Sequence, residues 1–298
     1  MLQHKIIDTH VHFWDMANPE VGMRWVWLEK DFVDPVLGDI DAMKSLKYGP
    51  KNVLAESRFA DVQAFVHVQA ALGAADPVLE TRWLTRIRSD SAVPFSIVAH
   101  ADLSDTDATR QLDEHGESPY FVGVRDFATE GILASREIRP VFESSLRTLT
   151  TRGLVLDLDC EWMNMDSALQ LAQRHPELQI ILEHIGSPRR NDREYFESWK
   201  AAISGLAAAD NVTCKISGLG MIDPLFTAQS LAPWFDATLE AFGPDRCLLG
   251  SNWPLDRLYS SYDIIMNLYR TYLGSLSDSE QKMVLSENAA EIFKLSVA

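Results

Sequence analysis

The sequence predicts a single α/β domain, a TIM (β/α)8 barrel in which eight parallel strands alternate with helices and the first connection is long. Apolar runs alternate eight times with segments of helical periodicity, mostly at intervals of about 25–35 residues. The length of 298 residues suits this fold, which typically needs about 250. No glycine-rich dinucleotide fingerprint follows the first strand, and no linker composition divides residues 1–298.

The first strand begins at Ile6 and Ile7 and ends in the polar residues Asp8, His10 and His12. Because side chains alternate along a strand, we expect these three polar side chains on one face. Two imidazoles about 7 Å apart on one face can hold a metal ion or polarise one substrate together. The alternative is a pair of hydrogen-bonded core histidines.

A long connection follows the first strand, from about residue 13 to residue 60. It holds three tryptophans and three prolines that interrupt regular structure, namely Trp14, Trp25, Trp27, Pro19, Pro35 and Pro50. Loops of this length are usually functional or disordered. The tryptophans argue against disorder, so we predict a folded lid or wall, whose aromatic residues cover the barrel mouth.

The other barrel strands are expected at residues 64–69, 95–103, 121–126, 153–159, 178–183, 211–218 and 246–254. Helices are expected near residues 78–87, 106–115, 136–152, 165–175, 194–208 and 230–242, and two more finish the chain. The first of these starts with Asp76 as N-cap and Pro77 in the first turn. The last starts with the capping box of Ser277 and Glu280 and runs through Phe293.

Composition limits the class of partner. The net charge of −16 and the pI near 4.9 argue against nucleic-acid binding, and no polybasic segment suits an anionic membrane. We expect no signal peptide and no membrane span, since no apolar run approaches about 20 residues. Cys160, Cys214 and Cys247 lack paired spacing, as is typical of a reducing cytoplasm. The composition favours a cytoplasmic protein that acts on a small molecule, and it is compatible with a homo-oligomer.

Polar side chains stand at the C-terminal ends of nearly all predicted strands. They are His10, His12, Gln69, Asp102, Arg125, Asp157, Asp159, His184, Lys215 and Asn252. In a barrel of this class these ends line one mouth, where substrate sites are built. Since desolvating so many polar groups is costly, we expect a catalytic or binding site there rather than isolated structural hydrogen bonds.

Several motifs, in order along the chain, resemble the amidohydrolase superfamily, and within it the branch containing fuconolactonase, rhamnonolactonase and pyrone-dicarboxylate lactonase. They are residues 8–15 (DTHVHFWD), 68–70 (VQA), 123–125 (GVR), 183–188 (EHIGSP), 215–219 (KISGL) and 250–254 (GSNWP). The resemblance implies a barrel enzyme that hydrolyses the lactone of a sugar acid or related carboxylic acid. Members of the branch range from metal-dependent to metal-free.

The chain departs from this pattern at two places. The eighth strand of the family normally ends Gly-Ser-Asp-Trp-Pro, and that aspartate is the general base, whereas this chain has Asn252, whose carboxamide cannot take a proton from water. The usual histidine after strand five is replaced by the region of Asp157 and Asp159. His10, His12 and His184 remain, and three neutral imidazoles can hold one divalent metal, zinc foremost.

The resemblance implies that the three histidines polarise the lactone carbonyl, with or without a metal. Arg125 and Lys215 would grip a carboxylate or hydroxyls, and Gln69 would hydrogen-bond the substrate. Trp27 and Trp253 would stack on a sugar ring or pack in the core.

The base would be a different carboxylate, either Asp157 or Asp256, although Asp256 is also placed to cap the next helix. Without a base, the same scaffold could isomerise a lactone or decarboxylate a small acid. A non-catalytic binder of a sugar acid is the third possibility.

Overall fold

The structure is a computed structural model that describes residues 4–17, 22–34, 38–225 and 227–296. Eight parallel strands form one sheet in sequence order, which confirms the predicted barrel. They are β1 (Ile6–Val11), β2 (Val62–Val68), β3 (Phe95–His100), β4 (Phe121–Arg125), β5 (Val155–Leu158), β6 (Ile180–Leu182), β7 (Val212–Ile216) and β8 (Cys247–Leu249). At the seam between β1 and β8, Val11 bridges Trp253, so the barrel is nearly closed there.

Helices cover the outside of the sheet. They are α1 (Pro50–Glu56), α2 (Val78–Ser89), α3 (Ala108–His115), α4 (Ala128–Ser135), α5 (Pro140–Arg152), α6 (Met165–Arg174), α7 (Arg193–Leu206), α8 (Ala228–Phe242), α9 (Tyr262–Leu273), α10 (Asp278–Lys282) and α11 (Asn288–Ile292). Among the described residues, none of these helices combines the length and apolar character that crossing a bilayer demands.

Two helix predictions need correction. The single helix expected near residues 136–152 is preceded by α4, which ends where Arg136 adopts a positive φ of 59°, and α5 then starts at Pro140. Proline suits a first helical turn but not a helix interior, so the chain restarts there. The final helix begins with the predicted Ser277 capping box, but a π-helical stretch at Met283–Glu287 separates α10 from α11.

The first strand differs from the prediction at Asp8. Asp8 pairs with Phe65 of β2 and Val11 pairs with His67. Between these two pairs β1 therefore contains one more residue than β2. Such a bulge breaks the strict alternation of side chains. Asp8 accordingly bonds Ser251 and the hydroxyl of Tyr262, and the expectation that it shares a face with the two histidines is wrong.

The described part of the first connection is folded over the barrel mouth. Trp14–Asp15 pairs antiparallel with Lys47–Tyr48. Trp14, Trp25 and Trp27 are all buried, as expected for a wall. Pro50 begins α1 rather than interrupting structure, while Pro19 and Pro35 lie outside the described residues.

Candidate active site

A cavity of about 230 Å³ opens at the C-terminal ends of the strands. Most of its polar lining comes from residues at or just after the ends of barrel strands, and its apolar lining comes mostly from loops. The lining residues are His12, Trp27, Phe32, Asp34, Ile40, Gln69, Ala70, Leu72, Arg125, Phe127, Asp159, Glu183, His184, Ser187, Arg189, Met221, Asn252 and Leu255. Six separate strands therefore deliver polar groups to one opening, as the sequence predicts.

His10, in β1, and His12, just after its end, face each other with their Nε2 atoms 3.1 Å apart. The Nδ1 atom of His12 lies 2.8 Å from the carbonyl oxygen of Val68, which only accepts, so His12 carries its proton on Nδ1 and has a lone pair on Nε2. The Nδ1 atom of His10 lies 3.5 Å from Oε1 of Glu183. A carboxylate beside Nδ1 favours the same tautomer of His10, with its proton on Nδ1. The Nε2 lone pairs of His10 and His12 therefore face each other.

The third histidine follows β6 in an unusual backbone conformation. His184, Ile185, Gly186 and Ser187 all have positive φ. Strained backbone of this kind persists where the surrounding structure enforces it and clusters at functional sites. The His184 ring centroid lies 4.4 Å from that of His10. Gly218 makes room for this ring, since a Cβ there would lie 2.8 Å from His184 Nδ1.

These histidines suit a cation. Burial, followed by nearby positive groups, lowers the pKa of His10 and His12 well below the usual value; for His184 burial lowers the pKa to about 3 despite the opposing Glu183 charge. All three imidazoles are therefore neutral at pH 7 and can donate lone pairs to a metal. His10, Glu183 and His184 bring their ligand atoms within 4.8 Å of one another, and the facing Nε2 atoms add His12. The donor set fits a divalent metal.

A buried network of four ionisable residues adjoins the cavity, and two of them, Arg125 and Glu183, also line it. Arg125 Nη1 lies 3.2 Å from Glu183 Oε2, and Lys215 Nζ donates to both carboxylate oxygens of Asp157 at 3.1 and 2.8 Å. Lys215 Nζ is also 3.9 Å from Glu183 Oε1. Burial alone would raise the pKa of Glu183, but Arg125 and Lys215 outweigh it and lower the pKa to about 2.

Lys215 and Asp157 were expected to reach the substrate, and the structure places both outside the cavity lining. Both are buried and neutralise each other, because an isolated buried charge would be costly. Burial and the neighbouring Glu183 raise the pKa of Asp157. Their position assigns them to the support of Glu183 rather than to substrate contact.

Arg125 and Gln69 present donors at the cavity. Arg125 Nη2 donates to the backbone carbonyl of Gln69 at 2.6 Å, which fixes the guanidinium group. Arg125 Nε and Gln69 Nε2 are buried and have no hydrogen-bond partner among the described residues. A substrate carboxylate or hydroxyl would satisfy both groups. The expected location of Arg125 and Gln69 at the mouth is thus matched by unfilled hydrogen-bonding capacity.

Asp159 is the cavity carboxylate best suited to proton transfer. It lies just beyond β5 and accepts a hydrogen bond from the hydroxyl of Ser187. Burial, and next the charge of Glu183, raise the pKa of Asp159 to about 6. A base with a pKa near the working pH is effective in catalysis. The sequence identified the Asp157–Asp159 region but selected Asp157, the residue that lies below the cavity.

Asn252 lines the cavity, and Asp256 lies behind it. Asn252 has a φ of 55°, a conformation that asparagine tolerates better than most residues. Its Nδ2 donates to Asp256 Oδ1 at 2.9 Å. Asp256 is 1% exposed and is not part of the cavity lining, so the expectation that it is a base in contact with water does not match its position.

The two tryptophans expected at the substrate have different locations. Trp27 lines the cavity and donates from its indole N–H to the carbonyl of Ala70 at 2.7 Å. Trp253 is 1% exposed, lies outside the lining, and packs edge-on against Tyr262. Trp253 is therefore a core residue.

Glu183 is a site residue that the sequence analysis did not predict, although the motif at residues 183–188 contains it. Its signal was available, since Glu183 is a charged residue directly after an apolar strand and beside His184. Arg189 and Asp34, which also line the cavity, lie in loops with no pattern that marks them.

One family model and several known proteins resemble this chain over most of its length. The model of the family described as Amidohydrolase (Amidohydro_2) matches residues 7–295. A protein named "uncharacterized protein y4mH", from Sinorhizobium fredii, is 34% identical over 298 residues, covering 97% of this chain and 98% of the relative. An L-fucono-1,5-lactonase from Burkholderia ambifaria is 29% identical over 257 residues, covering 85% of this chain and 81% of that enzyme.

Solved structures share the fold. A zinc-bound amidohydrolase from Burkholderia multivorans superposes with a TM-score of 0.81, covering 98% of this chain and 99% of the other, at 24% identity. At this identity the similarity supports the barrel architecture alone.

Proposed function

Since this chain belongs to the Amidohydrolase family, whose model spans nearly its whole length, we propose that it hydrolyses a small lactone of a sugar acid or related carboxylic acid. The observation that carries the proposal is the composition of the cavity. One arginine with an unpartnered donor, two neutral histidines and a carboxylate with a pKa of about 6 meet there. The relative named L-fucono-1,5-lactonase supports the class of substrate.

Arg125 and Gln69 would bind the substrate. Their unpartnered Nε and Nε2 donors suit a carboxylate or hydroxyl on the lactone. The indole of Trp27 offers an apolar face for the ring. Binding through several fixed groups would orient the carbonyl for attack, which is a substantial part of catalysis.

Asp159 would take a proton from water as the water oxygen bonds to the lactone carbonyl carbon. The bond from that carbon to the ring oxygen then breaks, and Asp159 returns the proton to the ring oxygen. The product is a hydroxy acid, and the base is regenerated.

His10, His12 and His184 would hold a divalent metal, with Glu183 as a further candidate ligand. A metal held there would supply Lewis-acid polarisation of the carbonyl. Zinc is the first choice, because neutral imidazoles are among its usual ligands. Glu183 would also keep the proton of His10 on Nδ1, as carboxylates beside metal-binding histidines do.

A panel of aldonic and aromatic-derived lactones, followed by carbon NMR, tests the proposal. Ring opening by wild-type protein, lost in Asp159→Asn, would support hydrolysis. Ring migration would indicate a lactone isomerase, and release of CO2 from acids would indicate a decarboxylase. If no lactone reacts while several raise the melting temperature, a sugar-acid binder is the better description. Elemental analysis of the same preparation would measure the metal.

A cytoplasmic location and a homo-oligomeric state remain predictions.

A further inference from the structure

We infer that Asp256 is a positioning residue that holds the Asn252 carboxamide with its oxygen toward the cavity. The inference rests on the proposed function for its kinetic readout, whereas its spectroscopic readout is independent of any activity. Asn252 would then have a role different from that of the aspartate that the family has at the same position. Here the position accepts a hydrogen bond and removes no proton.

The orientation of the carboxamide follows from its partner. Asn252 Nδ2 donates to Asp256 Oδ1 at 2.9 Å, so the nitrogen of the carboxamide faces Asp256. The oxygen of the same group then points away from Asp256. Asn252 Oδ1 is buried and has no hydrogen-bond partner among the described residues, although its side chain lines the cavity. This oxygen can therefore accept a hydrogen bond that no described residue supplies.

The backbone holds the two residues in register. The N–H of Asp256 donates to the Asn252 carbonyl at 3.2 Å, so one turn brings the two side chains together. Trp253 exchanges backbone hydrogen bonds with the end of β1 and the residue after it, donating to His10 and accepting from His12. The segment is thus anchored to the part of the chain that carries the two facing histidines.

Asp256 acts through Asn252 because it does not reach the cavity itself. It is 1% exposed, and its neighbours Asn252 and Leu255 form the lining instead.

The fixed acceptor selects the substrate. A rotated carboxamide would present two N–H donors, whereas the observed orientation presents a carbonyl oxygen, which binds a hydroxyl or a water. Sites built to hydrogen-bond a hydroxyl discriminate strongly against analogues that lack it. We therefore expect a lactone with a free hydroxyl near this oxygen to react faster than its deoxy or O-methyl analogue.

A double-mutant cycle tests the inference. Asp256→Ala should lower kcat/KM about tenfold, the size of one hydrogen-bonding contribution. The double variant Asn252→Ala/Asp256→Ala should match Asn252→Ala within about twofold, because Asp256 has no effect without its partner. Asp256→Asn should keep at least about a third of kcat/KM, since its own carbonyl oxygen can accept from Asn252. Circular dichroism and melting temperature confirm folding of each variant.

If Asp256 were the base, Asp256→Asn would lose about 100-fold or more, and the loss would persist in the Asn252→Ala background. Either result overturns the inference. The side-chain amide of Asn252 provides the second readout. Its resonances in ¹⁵N-labelled protein, assigned by their absence in Asn252→Ala, should shift and lose exchange protection in Asp256→Ala. Unchanged resonances would overturn the inference even if wild-type protein hydrolyses no lactone, a result that would separately refute the proposed function.

Discussion

Replacing Asp159 with asparagine tests the proposed chemistry most directly. Burial and the charge of Glu183 raise the pKa of Asp159 to about 6, and a general base must be ionised to work. We predict that kcat/KM of wild-type protein rises with pH through about pH 6. In Asp159→Asn this limb should disappear, because the carboxamide does not titrate.

The structure sets the size of the effect. With a pKa of about 6, about 9% of Asp159 is ionised at pH 5 and about 99% at pH 8, so kcat/KM should rise about elevenfold. An aspartate at the ordinary value of 3.8 would be about 94% ionised at pH 5, and the profile would be nearly flat. Loss of the base should cost about 10²–10⁴-fold at pH 8.

Initial rates between about pH 4.5 and pH 8.5, corrected for spontaneous lactone opening, measure the profile. Asp102→Asn is the matched control. Asp102 also follows a barrel strand, but it lies outside the cavity lining and accepts from the N–H of Ser104. The control should retain wild-type rate and pH dependence. A wild-type profile that is flat from pH 5 to pH 8, or an Asp159→Asn rate above a tenth of wild type, would refute the assignment.

Three further predictions concern the metal, the buried charges and the strand-eight position. His10→Ala should lower the bound zinc measured by elemental analysis after incubation and dialysis; equal zinc in both proteins would count against the metal site. In urea denaturation, the free energy of unfolding should fall by about 3–5 kcal/mol in Lys215→Met, because Asp157 is left buried without its cation. Lys215→Met/Asp157→Leu should recover part of that loss, since Glu183 keeps Arg125 but still lacks Lys215. Asn252→Asp should raise kcat/KM only when combined with Asp256→Asn, since two carboxylates at 2.9 Å would share a proton; a large gain from the single change would contradict this.

The fold could be predicted because its signals are local. Apolar runs of strand length, helix caps such as Ser277, and regular spacing are all visible along the chain. The structure shifts strand ends by a few residues but keeps their order. The bulge that turns Asp8 away from the histidines has no such signal, because it depends on how β1 pairs with a strand more than fifty residues later.

The site was harder to predict because its electrostatics are long-range. The pKa of Glu183 is lowered mainly by Arg125 and Lys215, which lie on other strands. The four consecutive positive-φ residues that start at His184 include three that are not glycine. No local preference predicts such a run, which tertiary contacts must enforce.

Depth along the strand separates the residues that reach the cavity from those that support it. Asp157 and Asp159 differ by two positions, but Asp157 lies inside β5 and pairs with Lys215, whereas Asp159 lies beyond the strand and lines the cavity. Lys215 lies inside β7 in the same way. A charge within the barrel must find a partner there, because water cannot solvate it. One residue past the strand end the same charge meets the cavity, where its pKa and its hydrogen bonds become available to a substrate. The pattern of polar residues identifies the mouth, and the strand boundary, which sequence places least well, decides which of them act there.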